Sequence, residues 1–174
     1  MLLCPPDPPA IVEPRPAYLG SMLRDSLYLR VDGGDLPTAP QADLDVLHGY
    51  PTGSVRGPLV GGVRITLLTR SRIVGIGEEV RVIHVLEIER PGETLYVMGP
   101  KPVTGEWVDD RLASAPVPSW GAFTMGVYDG MVRPSPGVDD NFEITTYRFR
   151  TRGPHRIQWR AGSVDSNVLC IEVR

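Results

Sequence analysis

Between Asn141 and Arg174 apolar and polar positions alternate in three runs. Tyr147 and Phe149 alternate with Arg148 and Arg150, Ile157 and Trp159 alternate with Arg156, Gln158 and Arg160, and Leu169, Ile171 and Val173 share one face. Successive side chains of a strand point to opposite faces, so a period of two predicts three strands with one wet face each. Thr-Arg-Gly-Pro at 151–154 and Ala-Gly-Ser-Val-Asp-Ser-Asn at 161–167 are turn sequence. The reading is an antiparallel sheet packed on one side only, its first two strands neighbours across the four-residue turn.

Earlier in the chain, Val63, Ile65 and Leu67 alternate with Arg64, Thr66 and Leu68 before a polar break at 69–72. In the run 80–88, Val80, Val82, His84, Leu86 and Ile88 share one face and Arg81, Ile83, Val85 and Glu87 the other. Both faces are partly apolar, which predicts a central strand. Further strands are expected at 95–98, stopped by Gly99 and Pro100, and at 122–128, closed by a tight turn at Asp129 and Gly130. The loop 99–120 between them has room for a short edge strand at Glu106, Trp107 and Val108. Pro5, Pro6, Pro8, Pro9, Pro14 and Pro16 exclude helix and ladder pairing from the leader, which reads as a tail or a strap. Beyond it, Leu27, Leu29 and Val31 predict a short strand, and residues 40–47 a turn or two of helix stopped at Gly49. Residues 1–60 thus form a Pro-rich, mostly irregular N-terminal extension, and 61–174 the main domain.

Composition narrows this picture. The 174 residues include 18 prolines and 19 glycines, so much of the chain is turn and loop. A net charge of -3 and a pI of about 5.6 exclude the global field of a nucleic-acid binder. Lys101 is the only lysine, and the arginine bias reads as the codon usage of a GC-rich bacterial genome. Of the two cysteines, Cys170 is read as a buried thiol and Cys4 as an incidental one, rather than as a disulfide tethering the leader. The N-terminus has no basic region followed by an apolar run, and no stretch has membrane-spanning length. The chain as written is expected in the cytoplasm, or outside it only as a fragment or processed form.

Strands every roughly 8 to 12 residues, Gly/Pro turns, and a polar break followed by Gly-Glu-Glu-Val-Arg-Val are the habit of an all-β sandwich. Residues 63–88 resemble the A and B strands of bacterial immunoglobulin-like and fibronectin type III-like domains. Tyr147-Arg-Phe149, Gly153-Pro154-His155-Arg-Ile157-Gln-Trp159 and Ser166-Asn167-Val168-Leu169 look like their E, F and G strands. The resemblance covers 61–174 and implies an immunoglobulin-like antiparallel β-sandwich. It puts His155 where such domains often carry a tyrosine bonded back to the preceding corner, a bond that an imidazole can also donate.

Candidate chemistry is sparse. His48, His84 and His155 lack metal-ligand spacing, and there is no Gly-x-Ser-x-Gly and no phosphate-cradling loop. Asp139, Asp140 and Asn141 are the best oxygen cluster for calcium, but such a turn bonds its own backbone and needs no metal. No cofactor is expected. The wet sides of two strands and their turn would gather Arg148, Arg150, Arg152, Arg156 and Arg160 into a basic face suited to a carboxylate, a phosphate or an acidic protein partner. Trp107 is the loop contact candidate. The function expected is a non-catalytic protein-binding or accessory module of a bacterial assembly. The alternatives are an immunoglobulin-fold peptidase inhibitor acting through its loops, and a small enzyme, which would need two titratable groups converging in an open pocket.

Overall fold

Alternation along the chain becomes strand nearly wherever it is unbroken, and helix is limited to two short pieces among the described residues. The computed structural model describes Cys4, Pro6 and residues 14–31, 36–52, 54–124 and 130–174. The helices are α1 (Ala17–Met22) and α2 (Gln41–Gly49). In chain order the strands are β1 (Tyr28–Leu29), β2 (Val63–Leu68), β3 (Ile73–Val74), β4 (Glu79–Ile88), β5 (Thr94–Tyr96), β6 (Glu106–Val108), β7 (Arg111–Leu112), β8 (Val132–Pro134), β9 (Gly137–Asp139), β10 (Glu143–Arg148), β11 (Gly153–Ala161), β12 (Val164–Asp165) and β13 (Leu169–Val173). The helix expected at 40–47 and the strand expected at 27–31 are α2 and β1. Ala122, Phe123 and Thr124 form bends, and the rest of the strand and hairpin turn expected there, 125–129, lies outside the described residues.

Two sheets share one core. The first runs β1-β10-β4-β2, with β9 continuing the line of β10 along β4; the second runs β3-β13-β11-β6-β7, with β12 beside β11. Ile65, Leu67, Val80, Val82 and Leu86 from the first meet Ile157, Trp159, Leu169, Ile171 and Val173 from the second. The polar break at 69–72 moves the chain between sheets: β2 pairs antiparallel with β4, and β3 pairs parallel with β13. β1 and β10 are also parallel.

The C-terminal strands correct the sequence reading. β10 and β11 are not neighbours; β10 pairs with β4 and β11 with β13 and β6. Alternation looks the same for strands side by side in one sheet and for strands facing each other across a core. The connection 149–152 crosses between sheets because Phe149 turns into the shared core and its carbonyl accepts from the Gly77 N–H at 2.8 Å.

Nor is the first sheet packed on one side only. On its other face Leu68, Ile83, Val85, Val138 and Ile144 meet Leu19, Leu27, Leu44, Leu47 and Tyr50 of the N-terminal segment. Each fully buried leucine there contributes about 1.5–3 kcal/mol. Polar contacts fix the layer: Asp43 of α2 pairs with Arg81 of β4 at 2.6 Å, and the Arg24 N–H donates to Asp140 at 2.8 Å. Glu87 of β4, wholly buried, accepts from the hydroxyls of Tyr18 and Tyr50 and pairs with Arg56 at 2.8 Å. The apolar positions on both faces of β4 thus serve two cores.

Cys4 and Cys170 form a disulfide with their Cα atoms 5.8 Å apart, in place of the two separate thiols expected. Cys170 alternates with the inward Leu169 and Ile171, so Cys4 is fixed to the outer face of the second sheet while α1 and α2 cover the outer face of the first.

Candidate functional site

The basic face does not assemble. Arg148 projects from the outer face of the first sheet, where it pairs with Glu79 at 2.7 Å and donates to the Gly77 carbonyl. Arg156 and Arg160 project from the outer face of the second sheet, on the opposite side of the molecule, and Arg150 and Arg152 sit exposed at the corner between them. Arg160 pairs with Asp110 at 3.4 Å and lies 4.9 Å above the ring of Trp107. Trp107 is accordingly a strand residue, half-buried on β6 opposite Gln158, and not a loop contact.

Asp109 and Asp110, at φ 48° and 61°, make the two-residue turn between β6 and β7. Mirror-type turns require positive φ at both positions, where aspartate is tolerated less readily than glycine. Asp109 is held there from β11: one carboxylate oxygen accepts from the Arg156 N–H at 2.9 Å and the other meets His155 Nδ1 at 2.6 Å. His155 Nε2 lies 3.0 Å from the Thr151 carbonyl and its ring stacks on Phe149. This is the corner bond expected of the residue in that slot. Burial opposes the imidazolium, but Asp109 and the Thr151 carbonyl outweigh it and raise the His155 pKa.

Between the sheets, His84 of β4 reaches Glu106 of β6, both wholly buried. The other Glu106 oxygen accepts from Thr145 at 2.6 Å and from Tyr147. Burial opposes the Glu106 carboxylate, but His84 and the two hydroxyls hold its pKa below the ordinary value; burial and Glu106 raise that of Tyr147. Gly105, just ahead of Glu106, lets the chain lie close against β11: at φ +77°, a Cβ there would stand 2.3 Å from the Arg160 carbonyl oxygen. A cleft of about 400 Å³ lined by Arg30, Ser114, Thr145 and Tyr147 backs onto the cluster, with His84 and Glu106 sealed behind it. The sequence places these partners far apart, and only the inward side of β4 hinted at His84.

Lys101, 1% exposed, stands 2.7 Å from Asp139, which is equally buried. Asp139 and Asp140 therefore face a lysine and the Arg24 amide, and among the described residues no cluster of His, Cys, Asp and Glu is placed to hold a metal ion. No helix among them is long and apolar enough to cross a membrane.

The segment 113–124, which follows β7, carries the most exposed large apolar side chain among the described residues, Trp120 at 62%. Its ring borders an apolar hollow of about 260 Å³ lined by Pro102, Pro116, Pro118 and Ala122. The hollow is braced: the Gly105 N–H donates to the Ala115 carbonyl at 2.8 Å and the Gly121 N–H to Pro118 at 3.0 Å. Comparison with family models, curated proteins and solved structures finds no match.

Proposed function

We propose that the chain is a protein-binding module built on an immunoglobulin-like sandwich, and that its contact surface is the hollow beside Trp120 in the segment 113–124 rather than an arginine face. The fold part of the reading is supported by the first strand, which pairs antiparallel in one sheet and, after a polar break, parallel to the last strand in the other. The division of the remaining strands, with β4 beside β10 and β11 between β13 and β6, agrees with it. The Cys4 to Cys170 disulfide supports an oxidising compartment as the place of action.

The observation that carries the binding reading is Trp120, exposed at the edge of a braced, proline-lined hollow. Aromatic rings beside apolar pockets are the anchors of protein interfaces, and a preformed hollow avoids the ordering cost of a flexible loop. Its shape and lining suit an extended partner segment that inserts an apolar or proline side chain. To test this, wild type and Trp120→Ala are immobilised at equal density and compared for capture of partners from an extract of the source cells. A partner held through the hollow should be retained by wild type and weakened by Trp120→Ala roughly thirtyfold, about 2 kcal/mol. It should be insensitive to Arg148→Glu. Equal retention by wild type and Trp120→Ala overturns the assignment.

A further inference from the structure

We propose that the side chains of Lys101 and Asp139 condense to an amide, giving a covalent cross-link between the segment following β5 and strand β9.

The only lysine of the chain is also one of its most deeply buried side chains, although lysine is almost never fully buried. Its Nζ donates to the carbonyls of Tyr96 at 3.2 Å and Met98 at 2.9 Å and lies 4.5 Å from the centre of the Phe142 ring. Two of the three ammonium hydrogens are thus directed to backbone, and Asp139 Oδ2 lies 2.7 Å from the nitrogen. That oxygen has no aligned hydrogen-bond partner, whereas Oδ1 accepts from the Asn141 N–H at 3.0 Å. The backbone clamps both groups: the Lys101 N–H donates to Asn141, and the Glu143 N–H donates to Lys101, each at 2.8 Å. Gly99 admits this approach, since a Cβ there would lie 2.5 Å from the Lys101 nitrogen and 2.7 Å from the Asn141 oxygen. Two reactants held in contact with water excluded have a high effective concentration.

Their protonation fits the reaction. Burial lowers the Lys101 pKa and raises that of Asp139, each against the pull of the other, so both move towards the neutral amine and the neutral acid. When the Nζ proton passes to Oδ2, the nitrogen lone pair faces the carboxyl group. It attacks Cγ of Asp139, the nitrogen gives up one further proton, and the hydroxyl of the tetrahedral intermediate takes it and departs as water. One C–N bond forms and one C–O bond breaks, with no change of oxidation state. The amide keeps one N–H for the Met98 or Tyr96 carbonyl.

The test is the intact mass of the folded full chain, reduced and then denatured. The wild type should fall short of its sequence mass by one water, and a proteolytic digest should yield one branched peptide containing residues 101 and 139. Lys101→Arg and Asp139→Ala should each show the full sequence mass. A folded wild type of full sequence mass overturns the proposal and leaves an ordinary buried ion pair. A water deficit that persists in Lys101→Arg overturns it equally, because the water was then lost elsewhere. If the variants fail to fold, the branched peptide from wild type still decides.

Discussion

At the scale of single residues, His155 does the work expected of its slot and one task more: besides returning to the Thr151 carbonyl, it steadies a turn made of two aspartates at positive φ. Its folded pKa is raised, so the stability it contributes is fully present below the ordinary imidazole value, about 6.5, and is lost as pH rises through the higher folded value. Denaturation midpoints of wild type should therefore fall as pH climbs from about 6 to 8, relative to a His155→Gln variant whose midpoint lacks that component. Parallel curves for the two proteins would mean that the bond to Asp109 does not favour the charged ring. His155 was legible because its role depends on a corner only four residues long. His84 was not, because its partner Glu106 lies on a strand of the other sheet and no local spacing joins them.

At the scale of elements, sequence and structure agree where a strand can be identified from its own alternation, and part where the neighbour of a strand must be chosen. β4, β10, β11 and β13 fall where the period of two puts them, and α2 falls between Pro40 and Tyr50. The basic face failed at the second step, since placing Arg148 beside Arg156 required a hairpin where the chain makes a crossing. The apolar outer face of β4 was visible too, but its cover is built from leucines scattered among prolines, with no sustained period to announce it. Glu87 is the point at which that cover is held. Glu87→Ala removes the acceptor of two tyrosine hydroxyls and leaves Arg56 without its buried partner, which should cost on the order of 3 kcal/mol by urea denaturation. Amide exchange should quicken in α1 and α2 more than in β11 and β13. Equal quickening throughout would show that the helical layer and the sandwich open as one cooperative unit.

At the scale of the molecule, the N-terminal segment lies on both outer faces, pinned to one by packing and to the other by sulfur. A cross-link spanning 166 residues of sequence closes nearly the whole unfolded chain into one loop, which on loop-closure grounds is worth roughly 5 kcal/mol. Cys4→Ser together with Cys170→Ser should lower the stability by up to that amount. It should also steepen the dependence on denaturant, because the released chain exposes more surface when it unfolds. An unchanged midpoint and slope would mean that the unfolded state is already compact without the bond.

The same bond decides how the domain responds to being pulled. Tension entering ahead of Cys4 and leaving through the end of β13 passes from sulfur to sulfur and then along Ile171, Glu172 and Val173, so of the two sheets only the end of β13, with its pairings to β11 and β3, lies on the path of the load. While the cysteines stay oxidised, a pull can peel no more than the last residues of β13, and the chain between the two cysteines is shielded from the load. Reduction puts the whole sandwich in series with the pull.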